Sequence, residues 1–271
     1  MATIKELYGL NVQPFKKGSC SEDFVYLSND LKQASGVVEN SIRENGISII
    51  CGDSGTGVSF STYTAYSRLK GGAYTFIYYP VCHVSPRDFY KECCRLMSVT
   101  PDGKGRQAMI SAIRKKGIEA KRQGYTLVLI LDNAQNIPEL VTRDLKTIVS
   151  EDFGLSNCMA LVLSGTREFK SVLRLPENKS LQMDTTLAYT MKGLSEEETK
   201  QYVKHKIQKA GGSPDIIDPQ VLEDLYSLCF NGNCKAIDNM MKTALKFGTQ
   251  YNREKIDMEV IRAAAAHINN L

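Results

Sequence analysis

An apolar run, Ile47-Ser48-Ile49-Ile50-Cys51, leads directly into Gly52-Asp53-Ser54-Gly55-Thr56-Gly57-Val58-Ser59-Phe60. The spacing is that of a phosphate-binding loop, GxxxxGK[ST]. Such a loop works through its backbone. Glycines let successive N–H groups curl around an anion, and the next helix adds the positive end of its dipole. Gly52, Gly55 and Gly57 preserve the curl, and Ser59 keeps the hydroxyl that would ligate Mg²⁺. Val58 stands where the pattern has a lysine. Losing that charge-assisted bond costs roughly 1.5–3 kcal/mol, about ten- to two-hundredfold in affinity. Residues 52–60 are therefore expected to bind ATP or ADP with Mg²⁺ weakly. The alternative is a glycine-rich turn that holds no ligand.

A second chemical element completes the pattern. Thr126–Leu131 (TLVLIL) is an apolar strand that ends at Asp132. This is the Walker B arrangement, where the aspartate holds Mg²⁺ through water and pairs with the loop hydroxyl. Ser59 and Asp132 are thus the metal candidates. Hydrolytic versions carry a glutamate next, and here that position is Asn133. An amide can hold a water but cannot accept its proton, and losing a general base typically lowers a rate by about 10²–10⁴. Asp132 and Asn133 form a degenerate catalytic pair.

A third group is basic. Lys104, Arg106, Arg114, Lys115, Lys116, Lys121 and Arg122 face a single acid, Glu119, between Gly103 and Arg122. Such a run can track the phosphate backbone of duplex DNA without reading sequence. It can equally be the solvated face of a helix. No aromatic interleaving, helix-turn-helix or zinc-finger signature accompanies it.

The elements that must position these groups alternate. Strands are predicted at Ile47–Cys51, Ala73–Tyr79, Thr126–Leu131, Met159–Leu163 and Thr186–Met191. Helices are predicted at Leu31–Ile42, from the glycine loop to Leu69, from Ser85-Pro86, within Gly103–Arg122 and at Leu140–Val149. Apolar strands between helices imply a five-stranded parallel sheet covered on both faces. Tyr8-Gly9-Leu10 and Pro14-Phe15 read as loop. After Gly193 only helices follow, opened by a capping box from Ser195 to Glu198. Three segments result: an N-terminal stretch over 1–46, an α/β nucleotide-binding core over 47–193 and an all-helical domain over 194–271.

Composition fits this frame. The chain has 271 residues, 42% of them hydrophobic, and a net charge of +4. No apolar stretch reaches the 18 or so residues a membrane span needs. The opening residues lack the basic-then-apolar order of a signal peptide. Eight cysteines, at 20, 51, 82, 93, 94, 158, 229 and 234, form no CxxC pair, which fits a reduced, cytoplasmic compartment. Three scattered histidines make a metal centre a poor reading.

Nearly the whole chain resembles the bacterial AAA+ ATPases that include secretion-pathway ATPases and the helper ATPases of DNA transposons. The resemblance runs through Tyr8-Gly9-Leu10, Pro14-Phe15, the glycine loop, LDNAQNI (DEAQ in the family) and Asp144-Leu145-Lys146. It continues through Gly193-Leu194-Ser195, His205-Lys206-Ile207, Ala210-Gly211-Gly212, Gly232-Asn233 and Ile237-Asp238-Asn239. The resemblance implies a P-loop NTPase sheet with a C-terminal helical lid. The departures fall on one function: Val58, Asn133, and Gln182-Met183-Asp184 where the family carries arginines that complete the site between subunits. Lys235 replaces a sensor arginine and is the remaining nucleotide-binding candidate. A trans-acting arginine is worth about 10³–10⁵ in rate in related reactions. The expectation is a pseudo-ATPase scaffold that assembles with itself or an active AAA+ relative, and binds duplex DNA or a transposase-like partner. An active AAA+ ATPase and a nucleotide-free interaction module are the alternatives.

Overall fold

The computed structural model describes residues 3–16, 24–151 and 154–269. They divide into two compact units. The α/β unit takes Leu31–Ser54 and Val58–Met191, and the helical unit takes the described residues up to Asp30, Gly55–Gly57 and those from Lys192 onward.

The α/β unit is built on β1 (Ile47–Gly52), β2 (Tyr74–Pro80), β3 (Thr126–Asp132), the two-residue strands β4 (Ser150–Glu151) and β5 (Ser156–Asn157), β6 (Ala160–Thr166) and β7 (Thr185–Met191). The five long strands lie in the order β2-β3-β6-β1-β7, and every pairing among them is parallel. Each long strand overlaps a predicted one. Central strands alternate between two apolar faces, as period-two side chains must. Ile47, Ile49, Leu127, Leu129, Leu131, Leu161 and Leu163 join one cluster, with residues of α4 (Pro86–Leu96), α5 (Arg106–Arg122) and α6 (Glu139–Val149). Ile50, Val128, Ile130, Ala160 and Val162 join the other, with α2 (Asn29–Arg43) and α3 (Val58–Leu69). Covering both faces explains why β1, β3 and β6 read as continuous apolar runs. Each fully buried Leu or Ile contributes about 1.5–3 kcal/mol. Helix α4 starts as predicted: Pro86 occupies its first turn, and the Ser85 hydroxyl accepts from the Asp88 N–H at 3.2 Å. Two short helices, α7 (Glu168–Leu173) and α8 (Lys179–Met183), fill the connection from β6 to β7.

In the helical unit, the N-terminal prediction needs correction. Tyr8 ends a helix, α1 (Ile4–Tyr8), instead of lying in a loop. A capping box between Thr3 and Glu6 closes its first turn, and Gly9 (φ 67°) takes the left-handed conformation that stops it. Tyr8, Leu10 and Phe15 are buried with side chains of α9 (Glu196–Lys209), α10 (Pro219–Leu228), α11 (Cys234–Gln250) and α12 (Met258–Asn269). The capping box at Ser195 and Glu198 is formed. Met240 and Met241 are core residues. Half-buried Lys206 pairs with Asp238 at 2.9 Å, with the Tyr202 ring 4.7 Å away.

The described cysteines are free thiols, and Cys20 lies outside the described residues. Among the described residues no helix is long and apolar enough to cross a membrane, and no group of three or more His, Cys, Asp or Glu could hold a metal ion.

Candidate functional site

The glycine loop fills the turn between the end of β1 at Gly52 and the start of α3 at Val58. Gly55 (φ +91°) and Gly57 (φ +102°) both occupy the left-handed region, where a side chain costs about 1–2 kcal/mol. Thr56 between them is buried, and Ser54 is exposed. Val58 does not extend a polar group anywhere: it is half-buried and packs against the apolar cluster of the α2/α3 face. Asp53 accepts from Arg167 Nε at 2.9 Å. This arginine starts α7 and was not a sequence candidate; nothing in the local pattern marks it. Phe60 is half-buried and stacks on Tyr63, one turn along α3.

Asp132 gathers the polar contacts. Its Oδ1 accepts from Ser59 Oγ at 3.1 Å and from Ser164 Oγ at 2.7 Å, and its Oδ2 accepts from the Tyr78 hydroxyl at 2.9 Å. Parallel register produces this convergence. Pro80 of β2 and Ser164 of β6 sit opposite Asp132, so Tyr78, two residues before Pro80, points to the same face. Ser59 and Asp132 were sequence candidates, whereas Ser164 and Tyr78 were not. A buried serine inside the apolar run ALVLSGT was the available signal for Ser164. Burial, and then the hydrogen bond to Asp132, pushes the Tyr78 phenol up to about 12. The Ser59 hydroxyl and Asp132 carboxylate are adjacent hard oxygen donors, the type Mg²⁺ takes, so the pair fits that ion. When bound, the ion would neutralise phosphate charge.

Asn133 takes the left-handed conformation (φ 56°) and leads a 3₁₀ turn over Ala134–Asn136. Asparagine tolerates that region better than most residues. The turn is tied at both sides: Gln135 Oε1 accepts from the Thr166 N–H at 3.0 Å, and Asn136 Nδ2 donates to the Val81 carbonyl at 3.2 Å. A Cβ on Gly165 would stand 3.0 Å from the Ala134 nitrogen, which explains glycine there.

Within the helical unit, Gly55 meets Lys235. The Lys235 N–H donates to the Gly55 carbonyl at 3.1 Å, and a Cβ on Gly55 would come 2.8 Å from Lys235 Cβ. The Lys235 side chain is exposed. Asn233 caps α11 by accepting from the Ala236 N–H at 3.1 Å.

A family model described as AAA domain matches residues 42–173. The general secretion pathway protein A of Aeromonas hydrophila is 23% identical over 226 residues, covering 82% of this chain. The chain spans 41% of that relative's length. Among solved structures, Cdc6p from Pyrobaculum aerophilum superposes with a TM-score of 0.74 at 15% identity, covering 93% of this chain and 69% of that one. The Aeropyrum pernix ORC1 protein, solved in complex with DNA, gives 0.68 at 16% identity, covering 94% and 68%. A RuvB mutant from Thermotoga maritima gives 0.58 at 12%, covering 92% and 73%. The fold is that of an AAA+ P-loop NTPase.

An AAA+ fold generally implies a nucleotide with Mg²⁺. Two other predicted features have partners within the α/β unit. Gln182-Met183-Asp184 ends α8, and Asp184 is neutralised by an ion pair with Lys146 of α6. In the basic segment, three of seven residues are engaged internally. Arg106 bonds Asp144 at 2.8 Å, Arg114 donates to the Ser150 carbonyl at 2.9 Å, and Lys121 pairs with Glu151 at 2.7 Å. Lys104, Lys115 and Arg122 are exposed, and Lys116 is half-buried.

Proposed function

We propose that this chain is a non-hydrolysing AAA+ protein. It holds ATP or ADP weakly and acts as an oligomeric scaffold with itself or an active relative, on duplex DNA or with a transposase-like partner. One observation carries the reading: Val58, at the position of the phosphate-reaching lysine, is turned into the apolar cluster of the α2/α3 face. The chain's own residues divide the remaining work. The backbone N–H groups of Gly52–Gly57 and the α3 N-terminus attract phosphate, and Ser59 with Asp132 would hold Mg²⁺. Asn133 can orient a water without taking its proton. The DNA limb rests on Lys104, Lys115, Lys116 and Arg122, and on likeness to a fold whose ORC1 example was solved with DNA. The transposase limb rests on the resemblance of the motifs.

The test pairs calorimetry with phosphate release. Measurable ATP binding that Gly57→Glu abolishes, with no release above that of Asp132→Ala, is the expected result. Turnover near 1 s⁻¹, typical of working kinases, rejects it. A second reading is an active ATPase in which a relocated lysine, Lys235 or Lys70, replaces the lost cation. In that case Lys235→Ala or Lys70→Ala abolishes turnover. Absence of any binding would leave an interaction module.

A further inference from the structure

Asp132 is buried, and its carboxylate is already served by the chain's own hydroxyls. A carboxylate offers about four lone-pair sites. Ser59 and Ser164 occupy both on Oδ1, and Tyr78 takes one of the two on Oδ2. With Oδ1 filled, Oδ2 is the atom left to accept from a water carried by Mg²⁺. The Tyr78 side chain lies on the edge strand of the sheet, 51% exposed, with its hydroxyl turned onto that oxygen.

We propose that Tyr78 competes with a metal-bound water for Asp132 Oδ2, so that nucleoside triphosphate binding here depends only weakly on Mg²⁺. This rests on the reading of residues 52–59 as a nucleotide site. Tyr78 is then a positioning residue: it acts through Asp132. The arrangement also agrees with lost turnover, because phosphoryl transfer in this fold depends on the metal to neutralise developing charge.

The experiment measures ATP affinity by calorimetry with Mg²⁺ and with EDTA, for the parent, Tyr78→Phe and Tyr78→Leu. The parent should change by less than about threefold between the two conditions. Both variants, lacking the competing hydroxyl, should gain roughly tenfold with Mg²⁺ and stay level in EDTA, the scale of one hydrogen bond to a charged group. A metal dependence that is the same in parent and variants overturns the inference while leaving the nucleotide site standing. Equal weakening of both forms in the variants also overturns it, and assigns the phenol to the phosphate. If ATP binds to none of the proteins, the nucleotide reading and this inference fall together.

Discussion

On the proposed reading, Val58 weakens the holding of a nucleotide and Asn133 removes its cleavage. Lysine is a compact charge on a flexible stem, and at position 58 it would have to leave the apolar cluster that Val58 packs against. Val58→Lys is expected to tighten ATP binding by about ten- to two-hundredfold in calorimetry, with hydrolysis still undetectable because Asn133 cannot accept a proton. Adding Asn133→Glu should then raise phosphate release by about 10²–10⁴. The same change places a glutamate at φ 56°, a strain of about 1–2 kcal/mol. The double variant should therefore melt lower than Val58→Lys alone.

Gly232 and the α9 helix set the stability of the helical unit. Gly232 sits at φ +82°, and a Cβ there would overlap the Leu194 carbonyl oxygen, whose own N–H donates back to Gly232 at 2.9 Å. Gly232→Ala is expected to cost at least about 2 kcal/mol by strain and displacement, seen as a lowered thermal midpoint. On α9, His205 has its pKa lowered, first by burial and then by Lys209 and Lys206. Its Nε2 is buried without a partner. The unfolded chain therefore binds a proton that the folded one resists, so its contribution is present above the unfolded pKa and is lost as pH falls through the lowered folded value. His205→Phe should flatten the fall in melting temperature between pH 7 and pH 5. Much of this element level was legible in the sequence. Apolar runs, Ser85-Pro86 and Ser195 with Glu198 each carry a local physical signal. The five-residue helices α1 and α8 carry too few periodic positions to announce themselves.

At the scale of the whole molecule, charge and register decide what the parts can do together. Asp132 was legible because an apolar strand ended on it, but Tyr78, Ser164 and Arg167 were not. They meet the site only through strand register and a helix start, which sequence spacing does not encode. The basic segment shows the same limit: its run of cations is visible, but the partner of Arg106 comes from α6 and those of Arg114 and Lys121 from β4. If the proposed DNA contact is made by the four cations of this segment without an internal partner above, the slope of log affinity for duplex DNA against log salt should be no steeper than about −4 per chain. A filter-binding series across salt checks it. The central claim is tested most directly by single turnover. Radiolabelled ATP is bound to excess protein with Mg²⁺, quenched over time and separated. The account predicts that the label stays in the triphosphate over many minutes. Conversion to diphosphate at a rate near 1 s⁻¹, removed by Asp132→Ala, would contradict it.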